Sequence, residues 1–575
     1  MSRGAETKQQ SARRFAGRTA IVGVFFVLAA SSLVARAVHL QVFNKEFLNH
    51  EADTRHLRTE KISAHRGTIT DRNGEPLAIS TPVDSIWANP GELATAVDRV
   101  PELAAALNID SQLLMRRLTR SMNKEFVYLR RHLSPDQAHR VLALELPGVN
   151  AIREYRRYYP AGEVAGHLVG FTSVDDDGQE GLELEFNHWL SGESGAKRVL
   201  KDRLGRSVEN VESIRPPNPG KDLRSSIDLR LQYLAYRSLK AAIQEFEADS
   251  GSIVVLDVQS GEVLAMVNQP TYNPNDRSQY SAERYRNRAI TDIFEPGSSI
   301  KPLIMSAALE SGQYRPSSVV DTSPGYVVVG AKKIEDHRNL GRVSLTTVMS
   351  RSSNVGVTKI AMSLEPDQLW GTMTRFGLGT LTTSGFPGES AGLLTHYNHW
   401  QQISQATLAY GYGVSVTPLQ LAQAYAVIGS GGISREVSLV ALDRAPEGER
   451  VISEATAMAV RAMMEEAVRP GGTGVKARVA GYRVAGKTGT AWKFAAGGYS
   501  KDKYLSIFAG VAPASDPRLS AVIIIDEPKG KLYYAADVAA PVFADVMSES
   551  LRMLAVPPDA LPERTTDGML QAMSQ

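Results

Sequence analysis

One long apolar segment lies near the amino terminus, and the rest of the chain carries only shorter helical or strand-like patterns of apolar and polar residues. Residues 19–35 read TAIVGVFFVLAASSLVA, and the apolar residues after them extend the segment to the ~20 residues of a membrane-spanning helix. Five basic residues and one acid precede it, which predicts a cytoplasmic amino terminus and an external remainder. A cleaved signal peptide is the alternative, since Ala35-Arg36-Ala37 resembles a cleavage site, but the apolar length favours an uncleaved anchor.

Shorter patterns predict the elements that follow. Residues 39–60 are amphipathic and are predicted to continue a helix, Asn73-Gly74 predicts a hairpin turn, and residues 90–150 carry leucines at helical spacing. Residues 214–224 are rich in proline, glycine and charge, which indicates a domain linker. Residues 556–575 are interpreted as a flexible tail.

Strand patterns occur at both ends of the region after the linker. Residues 252–257 and 262–266 flank a Ser260-Gly261 turn and predict a β-hairpin. Residues 504–508 and 521–525 are predicted strands near the far end, and helical patterns lie between. This arrangement predicts an α+β domain whose sheet joins distant segments of the chain.

Composition removes several classes of function. A net charge of +2 over 575 residues gives no argument for a nucleic-acid partner. The absence of cysteine excludes disulfides, thiolate nucleophiles and cysteine-rich metal sites. The 11 histidines are scattered and form no zinc pattern.

The first motif that can carry chemistry is Ser298-Ser299-Ile300-Lys301, which follows Pro296-Gly297 and precedes an apolar helical run. Ser298 is therefore predicted at a helix start, with Lys301 about one turn on and on the same face. A neutral lysine can take the proton of a serine hydroxyl, and burial or a second cation lowers its pKa from ~10.4. The helix start also offers N–H groups to an oxyanion.

The second motif, Ser352-Ser353-Asn354, lies between two helical patterns. Ser352 is predicted to relay protons and Asn354 to hold a substrate amide. Both motif types also occur by chance in this chain, as in Ser121-Met122-Asn123 and Ser194-Gly195-Ala196-Lys197. Neither motif alone therefore indicates an active site.

The third motif, Lys487-Thr488-Gly489-Thr490, follows an apolar stretch and is predicted to be a strand. Lys487 is a cation that can lower the pKa of Lys301, Thr488 and Thr490 can bind a substrate carboxylate, and Gly489 lets substrate approach the backbone. Three such motifs in this order are typical of penicillin-binding proteins and class A β-lactamases, where Asp stands in the middle of the second motif.

The chain resembles the class B penicillin-binding proteins, and among them the septal, division-type peptidoglycan D,D-transpeptidases. The resemblance spans about residues 15–555. Besides the three motifs it rests on the segments 66–74 (RGTITDRNG), 157–162 (RYYPAG), 181–183 (GLE), 408–413 (LAYGYG) and 471–474 (GGTG). Ser299 stands where relatives commonly have threonine, which removes no catalytic atom.

The resemblance implies an α+β fold with a single transmembrane helix, an elongated pedestal domain of mixed strands and helices, and a transpeptidase domain with a five-stranded antiparallel sheet flanked by helices. The expected boundaries are a cytoplasmic tail at 1–18, an anchor at 19–39, a pedestal at 40–220, a transpeptidase domain at 221–555 and a flexible tail at 556–575. The resemblance also implies a bacterial inner-membrane protein with its catalytic domain in the periplasm.

Partners and mechanism are implied in the same way. The expected partners are peptidoglycan stem peptides, inhibitory β-lactams, a SEDS-type glycosyltransferase and other divisome membrane proteins. Ser298, deprotonated by Lys301, attacks the carbonyl between two terminal D-alanines, and the N–H groups of Ser298 and Thr490 stabilise the oxyanion. Ser352 passes a proton to the leaving D-alanine, and an amine of a neighbouring stem peptide then attacks the acyl-enzyme. No metal or organic cofactor is needed.

Alternatives stay open at this point. A β-lactamase or a D,D-carboxypeptidase uses water in place of the amine, but neither needs the large outer domain. A non-catalytic β-lactam receptor or division scaffold would not need intact Ser298, Lys301 and Lys487. Tyr533 and Tyr534 either border the active-site groove, as the resemblance implies, or pack as aromatic residues on a strand.

Overall fold

The computed structural model describes residues 3–43, 57–201, 207–495 and 498–560. The chain divides into two compact units. The first unit comprises Met1–Ala64, Pro82–Tyr155 and Glu193–Asn218, and the second comprises His65–Thr81, Arg156–Gly192 and Pro219–Gln575. The helix predicted at 39–60 is wrong at residues 57–60, which belong to the strand Leu57–Ile62, and residues 44–56 lie outside the described residues. Most of the tail predicted at 556–575 also lies outside them.

A long helix at Arg3–Val38, followed by a π-helical turn at His39–Phe43, opens the first unit. Its segment Arg18–Gln41 has a mean hydropathy of 2.2 and is the one helix in the described part of the chain that is apolar and long enough to cross a membrane. The rings of Phe25 and Phe26 are 69% and 67% exposed. The apolar helix predicted near the amino terminus is thus confirmed.

The remainder of the first unit has a small core of its own. Leu103, Leu107 and Leu114 are buried at helical spacing, as the leucine pattern predicts. The prediction of helix throughout 90–150 is wrong at Val127–Leu133, a strand in which alternate residues face the core. The helices after the long helix are Pro90–Leu93, Ala94–Arg99 (3₁₀), Val100–Leu107, Ser111–Arg120 and Pro135–Leu142. The strands are Leu57–Ile62, Pro76–Ala88 (in this unit from Pro82), Val127–Leu133, Val149–Tyr158 (in this unit up to Tyr155), Gly195–Lys201 and Ser207–Arg215.

The second unit alternates short strands with helices. Its strands are Ile69–Thr70, Leu223–Arg224, Ser250–Asp257, Val263–Gln269, Val319–Asp321, Tyr326–Val329, Lys332–Glu335, Arg342–Ser344, Leu393–Leu394, Val414–Ser415, Ile433–Ser434, Glu449–Arg450, Ala485–Ala495, Gly498–Ala512 and Leu519–Asp526. Its α-helices are Gly166–Val169, Gly181–Glu185, Asn187–Ser191, Leu229–Glu245, Ala282–Tyr285, Arg288–Thr291, Lys301–Glu310, Leu345–Ser350, Asn354–Met362, Pro366–Arg375, Gln402–Leu408, Pro418–Gly429, Glu454–Val468 and Ala539–Met553, and its 3₁₀ turns are Gly162–Val164, Arg277–Gln279, Gly297–Ile300, Tyr397–His399 and Val475–Ala477.

A five-stranded antiparallel sheet, counted over the described residues, forms the centre of the second unit. The strand order is Val263–Gln269, Ser250–Asp257, Leu519–Asp526, Gly498–Ala512 and Ala485–Ala495. The predicted hairpin and the predicted carboxyl-terminal strands therefore meet in one sheet, and the α+β prediction is confirmed. The last strand in this order, Ala485–Ala495, is called the edge strand below.

Each face of the sheet packs against its own set of helices. On one face Val254 and Leu256 contribute to a core shared with the helices Lys301–Glu310 and Pro418–Gly429. On the other face Ile253 joins a core formed with Leu229–Glu245 and Ala539–Met553. Successive residues of this strand alternate between the two cores, so its segment 253–256 is continuously apolar rather than alternating with polar residues.

Three of the segments that carry the family resemblance meet in a buried ion cluster. Arg66 Nε donates to Glu183 Oε2 at 2.7 Å, and Arg157 Nε donates to Glu183 Oε1 at 2.6 Å. Arg66 and Glu183 are 0% exposed and Arg157 is 6% exposed. One carboxylate therefore pairs with two buried guanidinium groups, and removing it would leave both without their ion-pair partner.

Candidate active site

Ser298 lies in a 3₁₀ turn, Gly297–Ile300, called the serine turn below, which leads into the buried helix Lys301–Glu310. Gly297 has a φ of +54°, a left-handed conformation that glycine adopts without the steric cost of a Cβ. The backbone N–H of Lys301 donates to Ser298 O, so nucleophile and lysine are fixed one turn apart. The prediction that Ser298 lies at a helix start is confirmed.

The edge strand packs against the serine turn. A Cβ added to Gly489 would lie 2.8 Å from Pro296 O and 3.2 Å from Ser299 N. A Cβ at Gly297 would lie 3.4 Å from the Cβ of Ala491. The two backbones can therefore approach only because glycine stands at position 489, which explains the middle residue of the third motif.

Two further contacts hold the serine turn in place. Gly297 N–H donates to Gly411 O at 3.2 Å, and a Cβ at Gly411 would lie 2.1 Å from Gly297 O. The buried hydroxyl of Tyr425 donates to Ser299 O at 2.8 Å. Neither Gly411 nor Tyr425 was assigned a role from the sequence, although Gly411 belongs to the LAYGYG segment of the resemblance.

Lys301 brings the first two motifs together. Its side chain is 0% exposed, and Nζ donates to Ser352 O at 2.7 Å and to Asn354 Oδ1 at 2.8 Å. Ser352 Oγ lies 3.1 Å from the same nitrogen. Ser352 has a φ of +58°, an uncommon conformation for a residue other than glycine, and this turns its carbonyl and hydroxyl toward one amine.

The two buried lysines affect each other electrostatically. Burial lowers the pKa of Lys301 well below its ordinary range, the positive charge of Lys487 lowers it further, and the carboxylate of Asp336 acts in the opposite direction. Lys487 is 1% exposed, and burial lowers its pKa to about 7. Lys301 thus becomes neutral at a lower pH than a free lysine does, which the sequence predicted from a second nearby cation.

Asp336 orients the second motif, a role that was not predicted from the sequence. Its carboxylate accepts hydrogen bonds from Ser353 Oγ at 2.5 Å, from Asn354 N at 2.5 Å and from Val355 N at 3.0 Å. These donors stand at the start of the helix Asn354–Met362, where a carboxylate is favoured by the helix dipole. Asp336 therefore fixes the loop that presents Ser352 and Asn354 to Lys301.

The remaining predicted residues lie along the edge strand and the loop after the sheet. Lys487 Nζ donates to Thr488 O at 3.0 Å, and Thr488 Oγ1 donates to Thr473 Oγ1 at 2.9 Å. Thr490 Oγ1 accepts the N–H of Ala535 at 3.0 Å. Ala535 follows Tyr533 and Tyr534 directly, so that hydrogen bond brings the tyrosine pair next to the edge strand.

Tyr533 and Tyr534 are not on a strand but in the loop between Leu519–Asp526 and Ala539–Met553. The ring of Tyr533 stacks on Tyr504 with centroids 4.1 Å apart, whereas Tyr534 is 45% exposed. Tyr533 therefore packs against a residue of the strand Gly498–Ala512, and a place for the pair at the border of the active-site groove stays a prediction.

Two family models match the chain. The model described as the penicillin binding protein transpeptidase domain matches residues 251–548. The model described as the penicillin-binding protein dimerisation domain matches residues 61–225. The first range contains the three motifs, and the second contains most of the segments of the resemblance that precede them.

Relatives match over nearly the whole length. Peptidoglycan D,D-transpeptidase FtsI of Escherichia coli (strain K12) is 45% identical over 559 residues, which is 96% of this chain and 95% of that protein. The transpeptidase domain of Burkholderia pseudomallei penicillin-binding protein 3 is 41% identical with a TM-score of 0.55, over 59% of this chain and 98% of that one. Penicillin binding protein 3 of Mycobacterium tuberculosis, complexed with aztreonam, is 28% identical with a TM-score of 0.68, over 87% and 98%.

Proposed function

The chain belongs to the class B penicillin-binding proteins and is a peptidoglycan D,D-transpeptidase, and from that premise we propose that Ser298 forms the acyl-enzyme with Lys301 as its base. The observation that carries this assignment is the environment of Lys301 Nζ. A neutral amine has two N–H groups and one lone pair. Ser352 O and Asn354 Oδ1 accept the two N–H groups at 2.7 and 2.8 Å. The third neighbour, Ser352 Oγ at 3.1 Å, is a hydroxyl that can donate to the lone pair, so the neutral amine can take a proton on this side.

The steps balance as an acyl transfer. Lys301 takes the hydroxyl proton while Ser298 Oγ bonds to the carbonyl between the two terminal D-alanines, and the C–N bond then breaks. The proton reaches the departing D-alanine through Ser352 Oγ, 3.1 Å from Lys301 Nζ. The N–H groups of Ser298 and Thr490 stabilise the negative oxygen at the intermediate. An amine of a second stem peptide then displaces Ser298 Oγ.

The edge strand supplies the substrate carboxylate site in this proposal. Lys487 carries the positive charge, and Thr488 and Thr490 present hydroxyl groups on the same strand as Gly489, where no side chain obstructs the substrate. Tyr533 and Tyr534 border the groove on the side of Thr490. A relative that is complexed with aztreonam supports the proposal that this chain binds such inhibitors.

We extend the proposal to place and partners. The apolar helix is compatible with a single-pass inner-membrane protein, and we propose that it is an uncleaved anchor at 19–39 with the catalytic domain in the periplasm. The family matches support a pedestal at 40–220 and a transpeptidase domain at 221–555. Similarity to a transpeptidase named FtsI supports a role in septal synthesis, with a SEDS-type glycosyltransferase and other divisome proteins as partners.

Labelling with a fluorescent penicillin tests the assignment. The full-length protein in detergent is compared with Ser298→Ala on a gel, and the label is chased for hours. We expect a stable label on the wild type and none on the variant, since slow hydrolysis of the acyl-enzyme is what a transpeptidase requires. Label that is lost within minutes would indicate a β-lactamase, and a folded wild type without label would indicate a scaffold.

A further inference from the structure

Arg351 directly precedes the second motif and carries a positive charge that the acyl-transfer steps above do not use. Its backbone N–H donates to Thr347 O at 2.9 Å, at the end of the helix Leu345–Ser350. The next residue, Ser352, has its hydroxyl 3.1 Å from Lys301 Nζ. A guanidinium group is therefore attached one residue before the hydroxyl that is proposed to pass the proton to the leaving group.

The side chain of Arg351 extends to the 471–474 segment. A Cβ added to Gly471 would lie 3.3 Å from Arg351 Nη2, 3.8 Å from Cζ and 3.9 Å from Nη1. Gly471 also has a φ of +91°, a conformation that favours glycine. The guanidinium therefore lies against the backbone of Gly471, and a larger residue at this position would displace it.

The 471–474 segment also contacts the edge strand. Thr473 Oγ1 accepts the hydroxyl of Thr488 at 2.9 Å. Gly471 and Thr473 are two residues apart, so their Cα atoms lie within about 7 Å of each other. The guanidinium of Arg351 and the hydroxyl of Thr488 are therefore near the same end of the edge strand. This is the end at which the proposed function has the substrate carboxylate bind.

The charge of Arg351 is not used within the protein. The side chain is exposed, and in the described part of the chain its guanidinium makes no hydrogen bond and no ion pair. Its five N–H donors are thus open to a ligand. Their planar arrangement matches the two oxygens of a carboxylate, so a carboxylate is the group that this side chain is best suited to bind.

The other charged side chains near this segment already have partners. The ion pairs are Glu465 with Arg483 (2.7 Å) and with Arg469 (3.1 Å), Glu466 with Arg469, and Asp537 with Lys476 (2.9 Å). Asp336, the acid beside the second motif, already accepts three hydrogen bonds there. Arg351 is therefore the exposed cation of this region that no described carboxylate compensates.

The buried cation at this end of the strand is only partly charged near neutral pH. Burial lowers the pKa of Lys487 to about 7, so that about half of the molecules carry a neutral Lys487 at that pH. A guanidinium is not deprotonated in proteins. Arg351 can therefore attract an anion when Lys487 is neutral.

We propose that Arg351 is the outer part of the substrate carboxylate site and selects donors that end in a carboxylate. Its guanidinium contacts the terminal carboxylate from the solvent side, while Thr488 and Thr490 contact it from the edge strand. The inference rests on the proposed function, because this site exists only if the donor binds along the edge strand. It deepens that function by naming a specificity-determining residue outside the three motifs.

Acylation by two penicillins that differ in this charge tests the assignment. Full-length protein in detergent is incubated with benzylpenicillin or with its methyl ester, and the unreacted protein is then labelled with a fluorescent penicillin. The second-order rate constants give a ratio of carboxylate to ester, which should exceed one in the wild type. Because both constants are measured on one preparation, the ratio does not depend on the fraction of folded protein.

Three variants separate a contact with the carboxylate from the net charge of the protein. Arg351→Gln should lower the ratio about fivefold, the effect of one exposed ion pair. Arg351→Glu reverses the charge and should lower the ratio further. Arg237→Gln is the control and should leave the ratio unchanged. Arg237 is also exposed, but its helix, Leu229–Glu245, packs on the face of the sheet opposite to Lys301–Glu310.

Salt provides a second readout. The interaction of an exposed guanidinium with a carboxylate is screened by ions. Added sodium chloride should therefore lower the ratio more in the wild type than in Arg351→Gln. An equal decrease in the two proteins would show that the salt effect does not come from Arg351.

The opposite results would overturn the inference. If Arg351→Gln keeps the wild-type ratio, if Arg351→Glu is no lower than Arg351→Gln, or if Arg237→Gln lowers the ratio as much, Arg351 does not bind the carboxylate. Labelling of the untreated wild type is read in parallel. A wild type that fails to label contradicts the proposed function itself, whereas normal labelling with an unchanged ratio in Arg351→Gln refutes the role of Arg351 alone.

Discussion

Replacement of Asp336 by asparagine separates the two effects that its carboxylate has on the site. The first effect is structural, since the carboxylate accepts the N–H groups of Asn354 and Val355 and the hydroxyl of Ser353. An amide oxygen can still accept from the two N–H groups, but the charge is lost. Because hydrogen bonds to charged groups contribute about 1.5–3 kcal/mol each and neutral ones about 1, we expect the free energy of unfolding to fall by about 2 kcal/mol.

The second effect is electrostatic: whereas the first lowers stability, loss of the charge should let Lys301 act as a base at lower pH. Asp336 raises the pKa of Lys301 against burial and Lys487, so its removal lowers that pKa further. The rising limb of the acylation rate against pH should therefore move to lower pH in Asp336→Asn.

Stopped-flow acylation by a fluorescent penicillin between about pH 5 and pH 10 measures this limb. The matched control is Glu335→Gln, which removes the same charge one residue earlier from a side chain that is 59% exposed and paired with Lys333. The control should keep the wild-type limb. A limb of Asp336→Asn that stays in place or moves to higher pH would refute the electrostatic argument, even if the rate falls at every pH.

Three further predictions follow from the buried contacts. Gly489→Ala should slow acylation more than tenfold, because its Cβ would lie 2.8 Å from a backbone oxygen before the serine turn. Gly371→Ala is the control and should acylate normally, because its Cβ would meet only a side-chain nitrogen of Arg375, at 3.8 Å. Lys487→Met should move the acylation limb to higher pH, since it removes a cation that lowers the pKa of Lys301; a limb at lower pH would contradict the assignment. The folded pKa of Lys487, about 7, lies below its unfolded value of ~10.4, so folding releases a proton between these values. The wild type should then gain stability as pH rises through that window, and Lys487→Met should lose part of this gain in thermal unfolding. Glu183→Gln should lower the free energy of unfolding by about 3–5 kcal/mol, because two buried arginines lose their carboxylate partner. A loss below about 1 kcal/mol in chemical denaturation would show that the ion cluster is not needed for stability.

The sequence predicted those parts of the site that depend only on residues close together in the chain. Ser298 and Lys301 share one helical turn, so their spacing alone places them on one face. The strand character of Lys487 to Thr490 follows from the apolar residues before it. The approach of Lys301 to Ser352 and Asn354 needs tertiary packing, and only the combination of three motifs indicated it.

Other features had no local signal. Asp336 is one acid in a short charged loop, and its role depends on where that loop lies relative to the start of the Asn354–Met362 helix. The strand Val127–Leu133 was predicted as helix because its leucines also fit a helical spacing.

The strand order of the central sheet determines how long synthesis must continue after Ser298 before the site can be complete. The strand Ser250–Asp257 pairs with Leu519–Asp526, and the edge strand that holds the serine turn reaches Lys487, which follows Ser298 by 189 residues. A chain made at ~5–20 residues per second needs about 10–40 s to add that stretch. During this interval Ser298 has already been made, but Lys487, the edge strand and two further strands of the five-stranded sheet have not. If Ser298 is the residue that a β-lactam acylates, as proposed above, we expect acylation only after these strands have been added and have paired.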